Sequence, residues 1–296
     1  MLKLLALLLA AAPAPAPAPP AELILDIASG PYVDAVIGGV PLRLEVQLDH
    51  AAAISLNPEA AERAGLGSGD GKWTEEIGPV KLRGRFSEQR LLVAGLPAKA
   101  KIRWHQRVSE EADGLISIHL LPFERVTIAR AAANPGERET ELGIKVHDNH
   151  GVYVPLDFGK RRVAARLSFS RGRTTAPAAA AAVIAAVHGG VIQPERSLEE
   201  ISLGVMRPVR PLRLQRPLVI GGLAVPMLMV RTADFRGDHE LLLAATQSQE
   251  GEIVVAGAAP SQKPLYRITV GLDALGRCSS ATYRRAARRL ILRCLP

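Results

Sequence analysis

Acidic residues are missing from one long internal stretch: no Asp or Glu stands anywhere from Phe158 through Pro194. Over the whole 296 residues, 37 Lys and Arg face 29 Asp and Glu, a formal net charge of +8 that favours anions at the surface. Only two cysteines occur, so at most one disulfide can form and a disulfide-built miniature is excluded. Aromatic residues make up 4%, so the core has to be built from Leu, Val, Ile and Ala. No run of about 18 uncharged apolar residues follows the N-terminus, which argues against a polytopic helical membrane protein. A hydrophobic fraction of 48% excludes disorder for most of the chain. The length leaves room for two domains or one large one.

What is present starts at the N-terminus. Met1 to Pro20 reads MLKLLALLLAAAPAPAPAPP, with Lys3 as a short positive region, an apolar run from Leu4, and small-residue cleavage patterns around Ala12 to Ala16. Residues 1–21 are expected to be a secretory signal peptide and an Ala-Pro spacer. The expected location is therefore periplasmic or extracellular. Export argues against nucleic acid as a partner. It also makes a Cys278–Cys294 disulfide the expectation, against the alternative of two buried thiols.

From Glu22 onward the pattern is that of short strands. Pro41 to Leu48 alternates, placing Leu42, Leu44, Val46 and Leu48 on one face. Asn57-Pro58-Glu59 predicts a helix start, with Asn57 as N-cap and Pro58 in the first turn. Further strands are predicted at Val80–Phe86, Gln89–Val93, Ala98–Trp104 and Arg125–Ala129. Residues 133–150 are polar and carry Asn134-Pro135-Gly136, so they read as a connection. After it, strands at Val152–Leu156 and Val163–Phe169 precede an alanine-rich helix that starts beyond Pro177 and ends before Gly189-Gly190. The order of strand, turn, strand, small residues, Pro-led helix and Gly occurs in both halves, which predicts an internal duplication. The expected fold class is all-β with a few short helices.

One segment carries chemistry. The apolar strand ending at Leu48 runs directly into Asp49, followed by His50-Ala51-Ala52-Ala53 and then the Pro58 helix. This order resembles the retropepsin-like aspartic peptidases: Gly-bearing turn, apolar strand, Asp loop, second strand, Pro-led helix. Their later marker, two apolar residues and a Gly beneath the active-site loop, is met by Leu115-Ile116-Ser117 with Ser in place of Gly. It is met more closely by Val270-Gly271-Leu272-Asp273 in the second half. The resemblance implies two retropepsin-like β-barrel lobes, 22–132 and 151–296. It implies Asp49 as the catalytic candidate, with Trp73, between Gly71 and Gly78, on a flap over the cleft. A core anchor is the other reading of Trp73.

The departures bear on activity. An aspartic peptidase needs two carboxylates around one water, one as acid and one as base. Here His50 replaces a hydroxyl residue and Ala51 replaces a Gly. The second lobe's loop, near Leu167 to Thr175, has no acid and carries Arg171 and Arg173. Three readings stay open. One is a pseudoenzyme binding an extended peptide or protein segment. Another is an active endopeptidase using Asp49, as a homodimer or with an unusual second acid such as Asp157, Asp234 or Asp273. The third is a basic protein contacting anionic envelope components through Arg284, Arg285, Arg288, Arg289 and Arg293. Asp49 as a simple loop-capping carboxylate is the structural alternative. The same arginines also fit a solvated hairpin closing the second lobe, with Leu290 and Leu292 inward. His147-Asp148-Asn149-His150 fits no standard metal spacing. Gly67-Ser68-Gly69 lacks the setting of a nucleophile elbow. No phosphate-cradling glycine loop precedes a helix, so no cofactor or metal is expected.

Overall fold

A computed structural model describes residues 22–232 and 265–296. The expected signal peptide and Asp234 lie outside the described residues. No described helix is long and apolar enough to cross a membrane.

The first half begins with β1 (Glu22–Asp26), β2 (Tyr32–Ile37), β3 (Val40–Gln47) and β4 (Ile54–Leu56), followed by helix α1 (Pro58–Arg63). Then come β5 (Gly71–Ile77), β6 (Val80–Val93), β7 (Leu96–Trp104), β8 (Gly114–Ser117) and β9 (Arg125–Ala129). Strands β2, β3, β8, β4, β7 and β6 close into a six-stranded ring, because β6 returns to pair with β2. The alternation read in β3 is the alternation of burial: Leu42, Leu44, Val46 and Leu48 are all within the core. Each such side chain contributes roughly 1.5–3 kcal/mol on leaving water. The two strands expected across Val80–Val93 are one, since Ser87 and Glu88 stay in register with Ile102 and Lys101 of β7. Asp70 holds that midpoint by accepting from the Ser87 hydroxyl and the Glu88 amide, each at 2.8 Å.

The segment 133–150 is not only a polar connection. It forms β10 (Arg138–Gly143) and β11 (Lys145–His147). The second half continues with β12 (Gly151–Phe158), β13 (Arg161–Leu167), β14 (Thr175–Pro177), helix α2 (Ala178–His188) and β15 (Gly190–Ile192). It ends with β16 (Ser197–Ser202), β17 (Val205–Ile220), β18 (Leu223–Arg231), β19 (Arg267–Val270), α3 (Leu272–Leu275), β20 (Cys278–Arg284) and β21 (Arg289–Cys294).

The two halves share a strand plan. In the first, β8 lies between β3 and β4, parallel to one and antiparallel to the other. In the second, β19 lies between β13 and β14 with the same pair of directions. Parallel pairing of β4 with β7 is matched by β14 with β18. The hairpin β6–β7 is matched by β17–β18.

A third sheet, in the order β1-β9-β20-β21-β10, joins both halves. Its buried row runs across four strands as Leu25, Ile128, Ala281 and Leu292. The C-terminal hairpin therefore completes this shared sheet instead of closing the second lobe, although Leu290 and Leu292 do point inward. Its arginines are largely engaged. Arg289 meets Glu141 at 2.9 Å and Arg293 meets Glu137 at 3.8 Å. Arg285 donates to the carbonyls of His119, Leu121 and Phe123.

Cys278 and Cys294 stand opposite each other in β20 and β21 and are disulfide-bonded across 16 residues of sequence. Closing a loop of that size restricts the unfolded chain by about 3 kcal/mol. Replacing both cysteines with alanine should lower the unfolding free energy by about that amount, read by urea titration under non-reducing conditions.

Candidate functional site

Asp49 stands two residues beyond the end of β3 and is only 6% exposed. The loop that carries it is held from three sides. The Ser117 hydroxyl donates to the His50 carbonyl at 3.1 Å. The Ala52 amide donates to the Asp148 carbonyl at 3.0 Å. Gly151, at φ +63°, lies so close that a Cβ there would sit 1.9 Å from the His50 carbonyl oxygen. Leu115 and Ile116 lie on the strand beneath, paired with Glu45 and Val46. Leu115, Ile116 and Ser117 thus lie on the strand next to β3, beside the Asp49 loop.

The matching loop of the second half follows β13. Val46 pairs with Ile116, and Leu167 pairs with Val270. Ser117 and Gly271 each open the short helical turn that follows. The third residue beyond Val46 is Asp49, and the third beyond Leu167 is Ser170. In register, then, Ser170 is the counterpart of Asp49, and both line one cavity of about 120 Å³. Gly271 packs against this loop so closely that a Cβ there would lie 2.6 Å from the Arg173 carbonyl carbon. Asp273 accepts from the Thr174 amide at 2.8 Å and the Thr174 hydroxyl at 2.7 Å. Asp157 is exposed and paired with Arg162 at 2.7 Å. Neither acid is a partner for Asp49.

Positive charge surrounds Asp49 instead. Arg171 Nε lies 4.0 Å from Asp49 Oδ2. Arg173 turns away to Glu199, at 3.6 Å. Arg166, which is 5% exposed, donates from Nη1 to the Asp49 carbonyl at 2.7 Å and from Nη2 to Thr269 Oγ1 at 3.0 Å. Arg103 pairs with Glu75 at 3.3 Å and donates to Ser55 Oγ at 2.7 Å. Arg171 pairs with Glu200 at 2.8 Å. Asp49 Oδ1 is buried with no hydrogen-bond partner, so the carboxylate is not spent on capping its own loop.

Sequence reasoning did not single out Arg166, Arg103, Glu75, Glu200 or Ser170. One signal was available: Arg166 interrupts the apolar run Val163 to Leu167, where every other residue is hydrophobic.

His50 and Ser55 are 3.0 Å apart through Nε2 and Oγ. Because Ser55 Oγ accepts from Arg103, its own proton is free to go to Nε2, which requires neutral imidazole. Burial, then Arg103 and Arg166, hold the His50 pKa well below the ordinary histidine range. Burial likewise lowers His119, beneath the loop, to about 4. Among the described residues no group of three or more His, Cys, Asp or Glu could hold a metal ion. His147, Asp148 and His150 are near one another without forming such a set.

The cavity is roofed by two hairpins. Trp73, on β5, packs edge-on against His105 at 4.9 Å, with the Arg103 guanidinium 4.9 Å from its ring centre. A second, separate apolar core unites the β5–β6 hairpin, through Ile77 and Leu82, with Ile201, Leu203, Val205 and Val209 around β16–β17. Gln106 donates across this contact to the Leu203 carbonyl. Leu203 and Gly204 form the tight turn between β16 and β17, both at positive φ, +50° and +77°. A bulky residue there costs of order 1 kcal/mol or more. Leu203 is 4% exposed, and its burial against the opposing hairpin is what offsets that strain.

Two outcomes follow from this geometry. As pH falls below about 6.5, the unfolded chain binds a proton at residue 50 that the folded chain refuses, so stability falls with acid by up to about 1.4 kcal/mol per pH unit. Urea titrations between about pH 7 and pH 5 should give a shallower dependence for His50→Asn than for the native protein. Leu203→Asn removes the roof contact but suits the turn. Amide exchange in β5–β6 should accelerate by at least about tenfold, with global stability changed by less than about 1 kcal/mol.

No protein-family model and no curated protein matches this chain.

Proposed function

We propose that this is an exported, bilobal, retropepsin-like protein that lacks peptidase chemistry and uses its cleft to bind an extended peptide or protein segment. The observation that carries the reading is the register equivalence of Asp49 and Ser170, with Arg171 facing the one carboxylate at 4.0 Å. A peptidase dyad requires two carboxyl groups that share a proton. A serine cannot supply the second.

The retropepsin-like assignment is supported by the repeated strand plan and by Asp49 sitting above Leu115 and Ile116. Lobes at 22–132 and 151–296 fit that plan, joined through the shared sheet. Export is supported by the Cys278–Cys294 disulfide, since such bonds persist in oxidising compartments. Binding of an extended segment is supported by β5, which lies at the end of its sheet and pairs only with β6 among the described strands. A free edge beside a cleft accepts an added strand through main-chain hydrogen bonds. A cavity of about 120 Å³ is too small for a polypeptide, so the β5–β6 and β16–β17 hairpins must separate for one to enter.

The test is an acid-pH digestion of an unfolded protein substrate with and without pepstatin. No pepstatin-sensitive cleavage is expected at any protein concentration. Cleavage that pepstatin blocks and Asp49→Asn abolishes would overturn the reading in favour of an active endopeptidase.

A further inference from the structure

The charges lining the cavity pair off incompletely, and the remainder has a definite chemistry. Arg103 is matched by Glu75 and Arg171 by Glu200. Arg166 is left over, and Asp49 has only the long 4.0 Å contact to Arg171; both are more than nine-tenths buried. Asp49 Oδ1, Arg166 Nε and Arg171 Nε are buried without a hydrogen-bond partner. Arg166 has no carboxylate within 4.0 Å among the described residues. Asp49 and Arg166 do not neutralise each other directly. The guanidinium is fixed by the Asp49 main-chain carbonyl and Thr269, which leaves the carboxylate free toward the cavity.

A buried unpaired charge is costly, and so is a buried unpaired acceptor. A simple anion would serve the guanidinium groups and be repelled by Asp49. A simple cation would meet the opposite difficulty. A ligand that answers both poles carries a donor and an anion a short distance apart. At about 120 Å³ the cavity has room for several water molecules or one molecule of about that size.

We propose that this cavity binds an α-N–H/α-carboxylate unit, either a free small amino acid or the C-terminal residue of a peptide. The carboxylate is held by Arg166 and Arg171, and the N–H donates to Asp49. The idea rests on the cleft being a binding site and not a peptidase site. It narrows the partner to a segment whose C-terminal residue enters the cavity, or to the monomer that fits the same place.

Isothermal titration calorimetry on the full protein tests it, with glycine, L-alanine, acetate, N-acetyl-Ala-Ala and N-acetyl-Ala-Ala-amide as titrants. Saturable binding of an amino acid or of the free-acid dipeptide is expected, with Kd of about 1 mM or tighter. Acetate and the amidated dipeptide should bind at least about tenfold more weakly. Alanine alone binding identifies a free amino acid as the ligand; the dipeptide acid alone identifies a peptide terminus. Asp49→Asn and Arg171→Gln should each weaken binding at least about tenfold. Asp49→Asn is isosteric, Arg171→Gln keeps a polar but shorter side chain, and thermal unfolding checks that both fold, which Arg166 variants would not guarantee. No binding up to about 100 mM, equal binding of the amide or of acetate, or unchanged binding in both variants would overturn the proposal. Proteolysis by the protein would sink the non-peptidase reading while leaving these titrations interpretable, and absent binding without proteolysis would sink this inference alone.

Discussion

Arg166 is buried and bonds to both halves of the fold. It projects from β13, reaches Thr269 on the neighbouring strand of its own half, and holds the main-chain carbonyl of Asp49 in the other. A guanidinium taken out of water must be surrounded by acceptors, and here those are a backbone oxygen from the Asp49 loop and a hydroxyl oxygen from β19. That requirement couples the position of the Asp49 loop to the register of β13 against β19. Arg171 lies five positions further along, after the chain has turned, and extends the same positive field to the carboxylate. The site is therefore tied together by arginine bonds that cross between the two halves.

The roof obeys a related trade. A leucine with positive φ in a two-residue turn is held by its environment, not by its own preference. The second apolar core gives that environment, and it draws on both hairpins. Contact between them is small beside the main core and separate from it. It is thus the first part of the fold expected to open, since local stability follows local burial. Strain at Leu203 and closure of the cavity are two aspects of one contact.

Much of this was legible in the sequence, and the reasons differ by element. The alternation of Leu42, Leu44, Val46 and Leu48 reported a strand because one face is buried and the other is not. Pro58 and the alanines of 178–182 marked helices through local backbone chemistry. Asn57 was read as a helix cap and does precede α1, but its side chain makes no cap bond. It instead accepts from the Val108 amide and donates to the carbonyls of Ser109 and Ala112. That network depends on a contact fifty residues away, which local pattern cannot report. Pairing of β10 with β21 is hidden for the same reason: Leu142 and Leu290 meet only because two distant segments share a sheet edge. The absent acid of the second loop was visible by inspection. Which residue replaces it was not, because Ser170 is identified by strand register and not by any motif.

The shared strand plan, with an acid on one loop and arginine on the other, poses a single physical problem. Were a carboxyl group present on each loop, the pair would share one proton and carry a single negative charge. Remove one, and the other becomes a lone buried carboxylate whose ionised form needs compensation. Arg171, one residue beyond Ser170, supplies it at a distance long enough to leave Asp49 Oδ1 without a hydrogen-bond partner. A guanidinium close enough to bond both oxygens would have satisfied the carboxylate and closed the site to any ligand. The 4.0 Å gap does neither, and it leaves the cavity with an acceptor and a cation that a visiting molecule can still reach.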